Sequence, residues 1–571
     1  MRIEDKINVL RKGIKKAEKD KHWSLVDSMY NELNTLTDRD AISIRQHACA
    51  VANSGDPARA ATMLRKSLRL SSKDPITKLH LGRMYQSQNR YQEAELLFRE
   101  VLKSDPKNIS AIIFLVQTIE RNDQSGKLNQ VWSKKGMTEA ISLIKTGLKI
   151  DNRNGDLWYQ LASILGNDRQ KHKETVEAFE MALKYLPTSA STLNNYGRFK
   201  RLNADLAGDK KLLHKAYELE PKNSDFAFSL ALCYLSMEDL KNTLKWLNIS
   251  IKINPENNAA EVYKAFVLLI QGKFREGWKQ YEKRLLMDEF KGLSYGRPRW
   301  TGDEIKGKIL LLLSEQGIGD SIQFVRYASK IKELGGKVVI FTDENLKTLF
   351  QSVSGVSVVT SSLPLPKSFS SYSPLMSLPH IFKTTKTSIP DKTPYITAPS
   401  DSVNSWRKRI ENYSGYKVGL VWRGNPKFAG DRLRSSSLQE RSTLLPISGT
   451  QFFSLMVEKS EYDKKLPKKI IDIGKDFKDF SDTAGAILAL DLIITVDTAV
   501  CHLAGALGQS VWTMLPRSCD FRWGYKGSKT SWYPTMRLYR QKTLGDWGHV
   551  YNSMTKDLSR LITSIPPSST R

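Results

Sequence analysis

The sequence predicts a multidomain chain: an all-α solenoid of repeated helical hairpins, then an α/β region made of two parallel-sheet blocks. Three observations carry this prediction. Pro187, Pro221 and Pro255 recur 34 residues apart, each after an apolar helical stretch. From about Arg297, apolar runs of strand length alternate with helical patterns. Residues 360–400, rich in Pro, Ser and Thr, read as loop and linker and divide the second half in two.

The repeats come first because they decide the architecture. The unit Ile76 to Asn108 carries Leu81-Gly82, Tyr85, Ala94, Phe98 and Pro106. At matching offsets, Ser224 to Asn257 carries Leu230-Ala231, Tyr234, Thr243, Leu247 and Pro255. A third unit, ending at Pro187, carries Trp158, Leu161-Ala162, Leu165, Thr175, Phe179 and Ala182. Small residues suit the closest approach of two helices, aromatics fill the space beside them, and proline opens the next turn. The aromatics are core-packing residues, not a cofactor box. This pattern resembles the tetratricopeptide repeat over roughly residues 7–290, with an insertion around Asn122 to Gly136 that reads as a loop. Stacked repeats form an extended surface, so a protein partner on the solenoid is expected.

In the second half, Lys308 to Leu313 is a continuous apolar run, as a strand buried on both faces requires. Gln316-Gly317-Ile318-Gly319-Asp320 follows it, then a helical pattern through Phe324, Tyr327 and Ile331, a stop at Gly335-Gly336, and the strand Lys337 to Phe341. That order is a βαβ unit. Beyond the linker, strands are expected at Lys417 to Trp422, Ile470 to Ile473, Leu492 to Val496 and Val511 to Leu515. Two Rossmann-like blocks imply a cleft, with chemistry at the turns that follow the strands. The expected boundaries are 1–290 for the repeats, 300–400 for the first block and 415–560 for the second.

Composition excludes several classes. Hydrophobic residues at 40% and charged residues at 26% are globular values. No apolar run approaches the roughly 18 residues of a spanning helix, and Met1 to Lys6 opens no secretory h-region. Cys49, Cys233, Cys501 and Cys519 form no CxxC pair, so neither a disulfide framework nor a cysteine zinc site is indicated. A cytoplasmic protein is expected. The net charge of +28 favours anionic partners. However, the lysines are spread along helices, which argues for a solvated basic surface and against dedicated nucleic-acid binding. The same surface suits peripheral contact with the inner face of an anionic membrane.

The strand-end turns hold the candidate site. Gly317 and Gly319 let backbone approach a ligand, and Asp320 either caps the helix or accepts a proton from a hydroxyl. Neither a GxGxxG fingerprint nor a GK[ST] loop is present there. Asp497-Thr498-Ala499 opens a helix whose first amides suit phosphate, with His502 one turn in; a capped helix with Asp497 as N-cap is the plainer reading. Trp422-Arg423-Gly424-Asn425-Pro426 places a guanidinium at a tight turn, and Arg434 adds a second.

Together these segments resemble a glycosyltransferase of the heptosyltransferase-like family (family 9), of GT-B fold, fused to tetratricopeptide repeats. Gly272 to Trp278, Glu315 to Tyr327, Val418 to Gly424, Val496 to Gly508, Trp532-Tyr533-Pro534 and Gly545-Asp546-Trp547 carry the resemblance. It implies inverting, metal-independent transfer from a nucleotide-sugar donor, without a cofactor or metal, to a hydroxyl of a glycan or protein acceptor. Asp320 matches the family's candidate catalytic base. Asp497, Thr498, Ala499 and His502 match a DTGxxH motif, with Ala499 where glycine is usual. The donor site would also take Gly317, Gly319, Trp422, Arg423, Gly424 and Arg434. The family's lysine after the first donor-domain strand lacks a clear counterpart; Arg423 or Lys427 stands nearest. The alternative is a non-catalytic repeat scaffold carrying a degenerate transferase domain.

Overall fold

The computed structural model describes residues 3–37, 40–124, 133–287, 290, 295–363, 368–425, 430–437, 440, 443–457 and 466–564. The chain divides into two compact units, residues 1–195 and 196–571. Most of the expected insertion at 122–136, and Pro426 and Lys427, lie outside the described residues.

Helical hairpins fill the chain from Ile3 to Leu286, a tetratricopeptide-type solenoid. In the first unit, helices Pro57–Leu70 and Pro75–Ser87 begin on proline directly after Asp56 and Asp74, whose carboxylates accept from the Arg59 and Ile76 amides. The missing proline N–H is one the first turn leaves unused, and the aspartate supplies the partner that turn lacks. Inside the hairpin Pro75–Ser87/Tyr91–Ser104, a Cβ on Gly82 would stand 2.5 Å from the Phe98 ring, itself fully buried. The small residue is therefore demanded by the close approach that the repeat pattern implied.

The α/β part holds two all-parallel sheets. The first contains β1 (Ile309–Leu313), β2 (Lys337–Phe341), β3 (Val356–Thr360) and β4 (Ser371–Pro374), in the order β3-β2-β1-β4. The second contains β5 (Tyr416–Val421), β6 (Thr450–Ser454), β7 (Ile470–Asp472), β8 (Leu492–Val496), β9 (Val511–Leu515) and β10 (Met536–Arg540), in the order β10-β9-β8-β5-β6-β7. β1 is covered on both faces: Leu310 and Leu312 join the main core, while Leu311 and Leu313 pack with Val339 and Phe369. Strand order reverses beside β1 in the first sheet and between β5 and β8 in the second, and crevices open at such reversals.

The expectation that residues 360–400 are only loop and linker is corrected. Ser371–Pro374 is the strand β4, paired with β1 at Leu311↔Tyr372, and a short helix Leu378–Ile381 follows. A four-residue edge strand reading Ser-Tyr-Ser-Pro has no apolar run to announce it.

The last repeat hairpin, Asn258–Ile270 with Phe274–Tyr281, shares one apolar core with the sheets. Trp278 lies edge-on to Phe324, Phe521 and Trp532, with ring centres 5.6–6.3 Å apart. Beside it Arg284, 0% exposed, donates to both carboxylate oxygens of Glu315 at 2.8 and 2.9 Å, to Glu282 at 2.8 Å and to Ser377 at 2.9 Å. Glu315 also accepts from the Met376 amide at 2.8 Å, so the turn after β1 is tied to both the repeats and β4. Removing one partner of a buried pair strands the other. Arg284→Met should lower unfolding free energy by about 3–5 kcal/mol in denaturant melts. Adding Glu315→Gln should recover part of that loss, and a strictly additive double variant would contradict the coupling.

Candidate functional site

The turn after β1 carries backbone strain. Gln316 has φ +60°, a left-handed conformation uncommon for a non-glycine residue, and its side chain accepts from the Tyr281 hydroxyl at 3.1 Å. Gly317 then opens helix Ile318–Phe324, and the Asp320 carboxylate reaches back to accept from the Gly317 amide at 3.0 Å. Asp320 thus does part of a capping residue's work from inside the first turn. Its other oxygen pairs with the Arg522 guanidinium. Asp320 remains 21% exposed. Burial pushes its carboxyl above the usual carboxylate range, and the Arg522 charge and Gly317 amide oppose that rise.

From the second sheet, helix Ala499–Ala506 follows β8. Thr498, not Asp497, is its N-cap, and no side chain caps its first amides. The Asp497 carboxylate lies instead 3.8 Å from Nε2 of His502. Burial pushes Asp497 up to about 6, with Asp520 adding to the rise and Trp523, Arg434 and Arg522 opposing it. His502 is buried, its Nδ1 2.9 Å from the Tyr533 hydroxyl and its ring stacked on Trp523 at 5.4 Å. Burial and the surrounding Arg522, Arg326 and Arg434 charges hold its pKa well below the ordinary value, so it is a neutral imidazole at pH 7. It can offer a ligand one N–H but no positive charge.

The two turns meet. A Cβ on Gly319 would stand 2.8 Å from the His502 ring and 3.5 Å from the Ala499 Cα. Only glycine lets the Asp320 helix sit against the uncapped helix tip. Across the same junction, the buried Arg326 guanidinium donates to the carbonyls of Gln323, Pro390 and Trp532 and to the Tyr395 hydroxyl at 2.8–3.0 Å.

Among the other expected donor residues, Arg434 donates to the Asp497 carbonyl at 2.8 Å and pairs with Asp431 at 3.1 Å. Gly424 packs where a Cβ would come within 2.4 Å of Arg434 and Asp431, and its amide donates to Ser435 at 3.0 Å. Arg423 is half-buried at the end of β5. Trp422 points into the core, 1% exposed, and is a packing residue.

Sequence reasoning missed Arg522, the guanidinium that pairs with Asp320. It is 8% exposed and donates to Asp520 at 2.8 Å, to Gln323 Oε1 at 2.6 Å and to Asp320. The segment Asp520-Phe521-Arg522-Trp523 follows β9, so the strand-end criterion that selected the other turns applies to it equally.

Comparisons with known proteins fall mainly on the repeats. A family model described as tetratricopeptide repeat matches residues 52–117, and one described as subunit 3 of the anaphase-promoting complex, cyclosome, matches residues 210–283. Protein FlbA of Caulobacter vibrioides is 24% identical over 409 residues, covering 66% of this chain and 68% of FlbA. A match that long exceeds the helical hairpins and has to run into the α/β part. Protein O-mannosyl-transferase TMTC3 of Homo sapiens is 18% identical over 218 residues, 38% of this chain and 24% of its own length. The solved Cut9-Hcn1 hetero-tetramer of the anaphase-promoting complex aligns at 13% identity over 50% of this chain and 53% of that chain, with a TM-score of 0.39.

The Asp497 environment has a consequence for stability. A carboxyl that titrates near 6 when folded and at 3.8 when unfolded favours the native state at low pH and loses that contribution as pH rises through 6. Asp497→Asn should therefore gain stability over the wild type between pH 4 and 7, by on the order of 2–3 kcal/mol. Thermal melts across that range check it; a difference independent of pH would contradict the assigned environment.

Proposed function

We propose that this chain is a glycosyltransferase that moves a sugar from a nucleotide-sugar donor to an acceptor hydroxyl with inversion. One observation carries the reading: Gly319 seats the Asp320 helix directly against the uncapped tip of helix Ala499–Ala506. The proposed general base and the helix end that would hold the anion thereby stand side by side, at the carboxyl ends of β1 and β8. In the reaction, Asp320 takes the proton of the acceptor hydroxyl as its oxygen bonds to the anomeric carbon. The bond from that carbon to the donor phosphate breaks, and its electron pair leaves with the nucleoside diphosphate. The amides of Ala499 and Val500 and the Arg434 and Arg522 guanidinium groups are the counter-charges for that leaving group, without a metal. TMTC3, named as a protein O-mannosyl-transferase, supports a transferase beside helical repeats. The repeats would hold a protein or glycan-bearing acceptor.

The scaffold alternative draws on one observation: Asp320 is already held by Arg522. It expects no nucleotide binding. A panel of UDP-, GDP-, ADP- and dTDP-sugars, read by thermal stabilisation and by donor hydrolysis, separates the two. With the donor so identified, Asp320→Asn should slow transfer at least 100-fold, as loss of a general base does, while nucleoside diphosphate still binds. Normal turnover by that variant would remove Asp320 from the role of base.

A further inference from the structure

The Asp320–Arg522 pair joins the proposed base to a residue on the far side of the crevice. Arg522 comes from the turn after β9, Asp320 from the turn after β1, and the guanidinium is nine-tenths buried between Asp320, Asp520 and Gln323. One buried donor stands beside it without a hydrogen-bond partner, Nε2 of Gln323, whose Oε1 accepts from Arg522; the indole of Trp523, the next residue in the chain, is turned to the Asp497 carboxylate. The first amides of helix Ala499–Ala506, uncapped by any side chain, complete the group. A buried donor left unpaired is expensive, and one set beside a guanidinium and free helix amides fits a multiply charged oxygen ligand. The carboxylate of Asp320 partly occupies that role while no ligand is bound.

We propose that Arg522 is shared between Asp320 and the diphosphate of the donor, so that donor binding draws the guanidinium off the carboxylate and uncovers the base. The inference rests on the glycosyltransferase reading and deepens it: Arg522 becomes a residue that binds the donor and positions Asp320, and donor binds before acceptor. A diphosphate carries more charge than a carboxylate and accepts from several donors at once, including the Gln323 Nε2 group that Asp320 leaves unpaired. Once released, Asp320 keeps only the Gly317 amide and becomes a stronger proton acceptor for the incoming hydroxyl.

Calorimetric titration of the full chain with UDP, GDP, ADP and dTDP, and with the matching nucleosides as phosphate-free controls, tests the sharing. For the diphosphate that the wild type binds, Asp320→Asn should bind at least fivefold tighter, because the competitor for Arg522 is gone. Arg522→Ala should bind at least tenfold weaker, with Arg522→Lys recovering part of the loss, and nucleoside affinity should be the same in all. Asp557→Asn, on the last helix and paired with Arg537 and Tyr539, removes a negative charge without touching Arg522, so its affinity should change much less than that of Asp320→Asn. Equal tightening by both variants, or none by Asp320→Asn, would overturn the sharing and leave the transferase reading standing. Failure of the wild type and every variant to bind any of the four diphosphates would overturn both. If Arg522→Ala melts early, the Asp320→Asn and Arg522→Lys titrations decide the matter alone.

Discussion

One guanidinium is buried where the segments that flank the two sheets meet. Arg326 leaves water for a site where its hydrogen bonds go to three carbonyls and a tyrosine hydroxyl. The rings of Tyr395, Tyr533 and Trp532 lie 4.5–5.4 Å from it. A cation so enclosed is tolerated only when every donor is met, so the surrounding backbone has little freedom to shift. Those partners come from three places: the helix after β1, the segment leading to β5, and the turn before β10. Loosening any of them would leave a bare charge in a dry interior. The contact of Gly319 with His502 and Ala499 lies in the same region, ahead of Arg326 on the segment after β1.

Around that anchor the electrostatics are arranged unevenly. Arg522, Arg434 and Arg326 crowd His502 into its neutral form, while Asp320 and Asp497 are pressed upward by burial. From sequence alone, a histidine one turn into a helix whose first amides suit phosphate reads equally as a donor, a counter-charge or a partly buried polar residue. Here the arginines already supply the positive charge, and the imidazole is a stacked, hydrogen-bonded part of the wall.

What could be read in advance follows from burial. β2, β8 and β9 fall on the residues expected, and β1 begins one residue later, because each is an apolar run covered on both faces. β3 alternates irregularly and is half exposed, β4 is four mostly polar residues, and β10 puts Arg537 in water, so none of them stands out from its flanks. The site followed the same rule. Asp320, Asp497 and Gly319 are visible through short glycine- and aspartate-marked turns, whereas Arg522 lies within a long segment after β9 and meets Asp320 and Gln323 from roughly 200 positions away in the chain. Trp422 was selected because it ends a strand, and no local pattern tells an inward-facing tryptophan from one that lines a crevice. Arg284 gave no signal at all, since its carboxylate partner is fixed by tertiary packing.

The shared core between the final hairpin and the sheets bears on how such a chain can diversify. Val262, Leu269, Trp278 and Tyr281 are as much a wall of the α/β interior as Phe324 or Phe521 are. Hairpins near the start of the chain have an apolar cluster of their own, around Val26 and Tyr30, so copies there can be duplicated or deleted without opening the α/β core. The last one is committed: severing it would bare Phe521 and Trp532 to water and present a sticky apolar scar. A recombination that exchanges solenoids between such proteins has therefore to cut upstream of Asn258, carrying the terminal hairpin along with the sheets as a single inherited block.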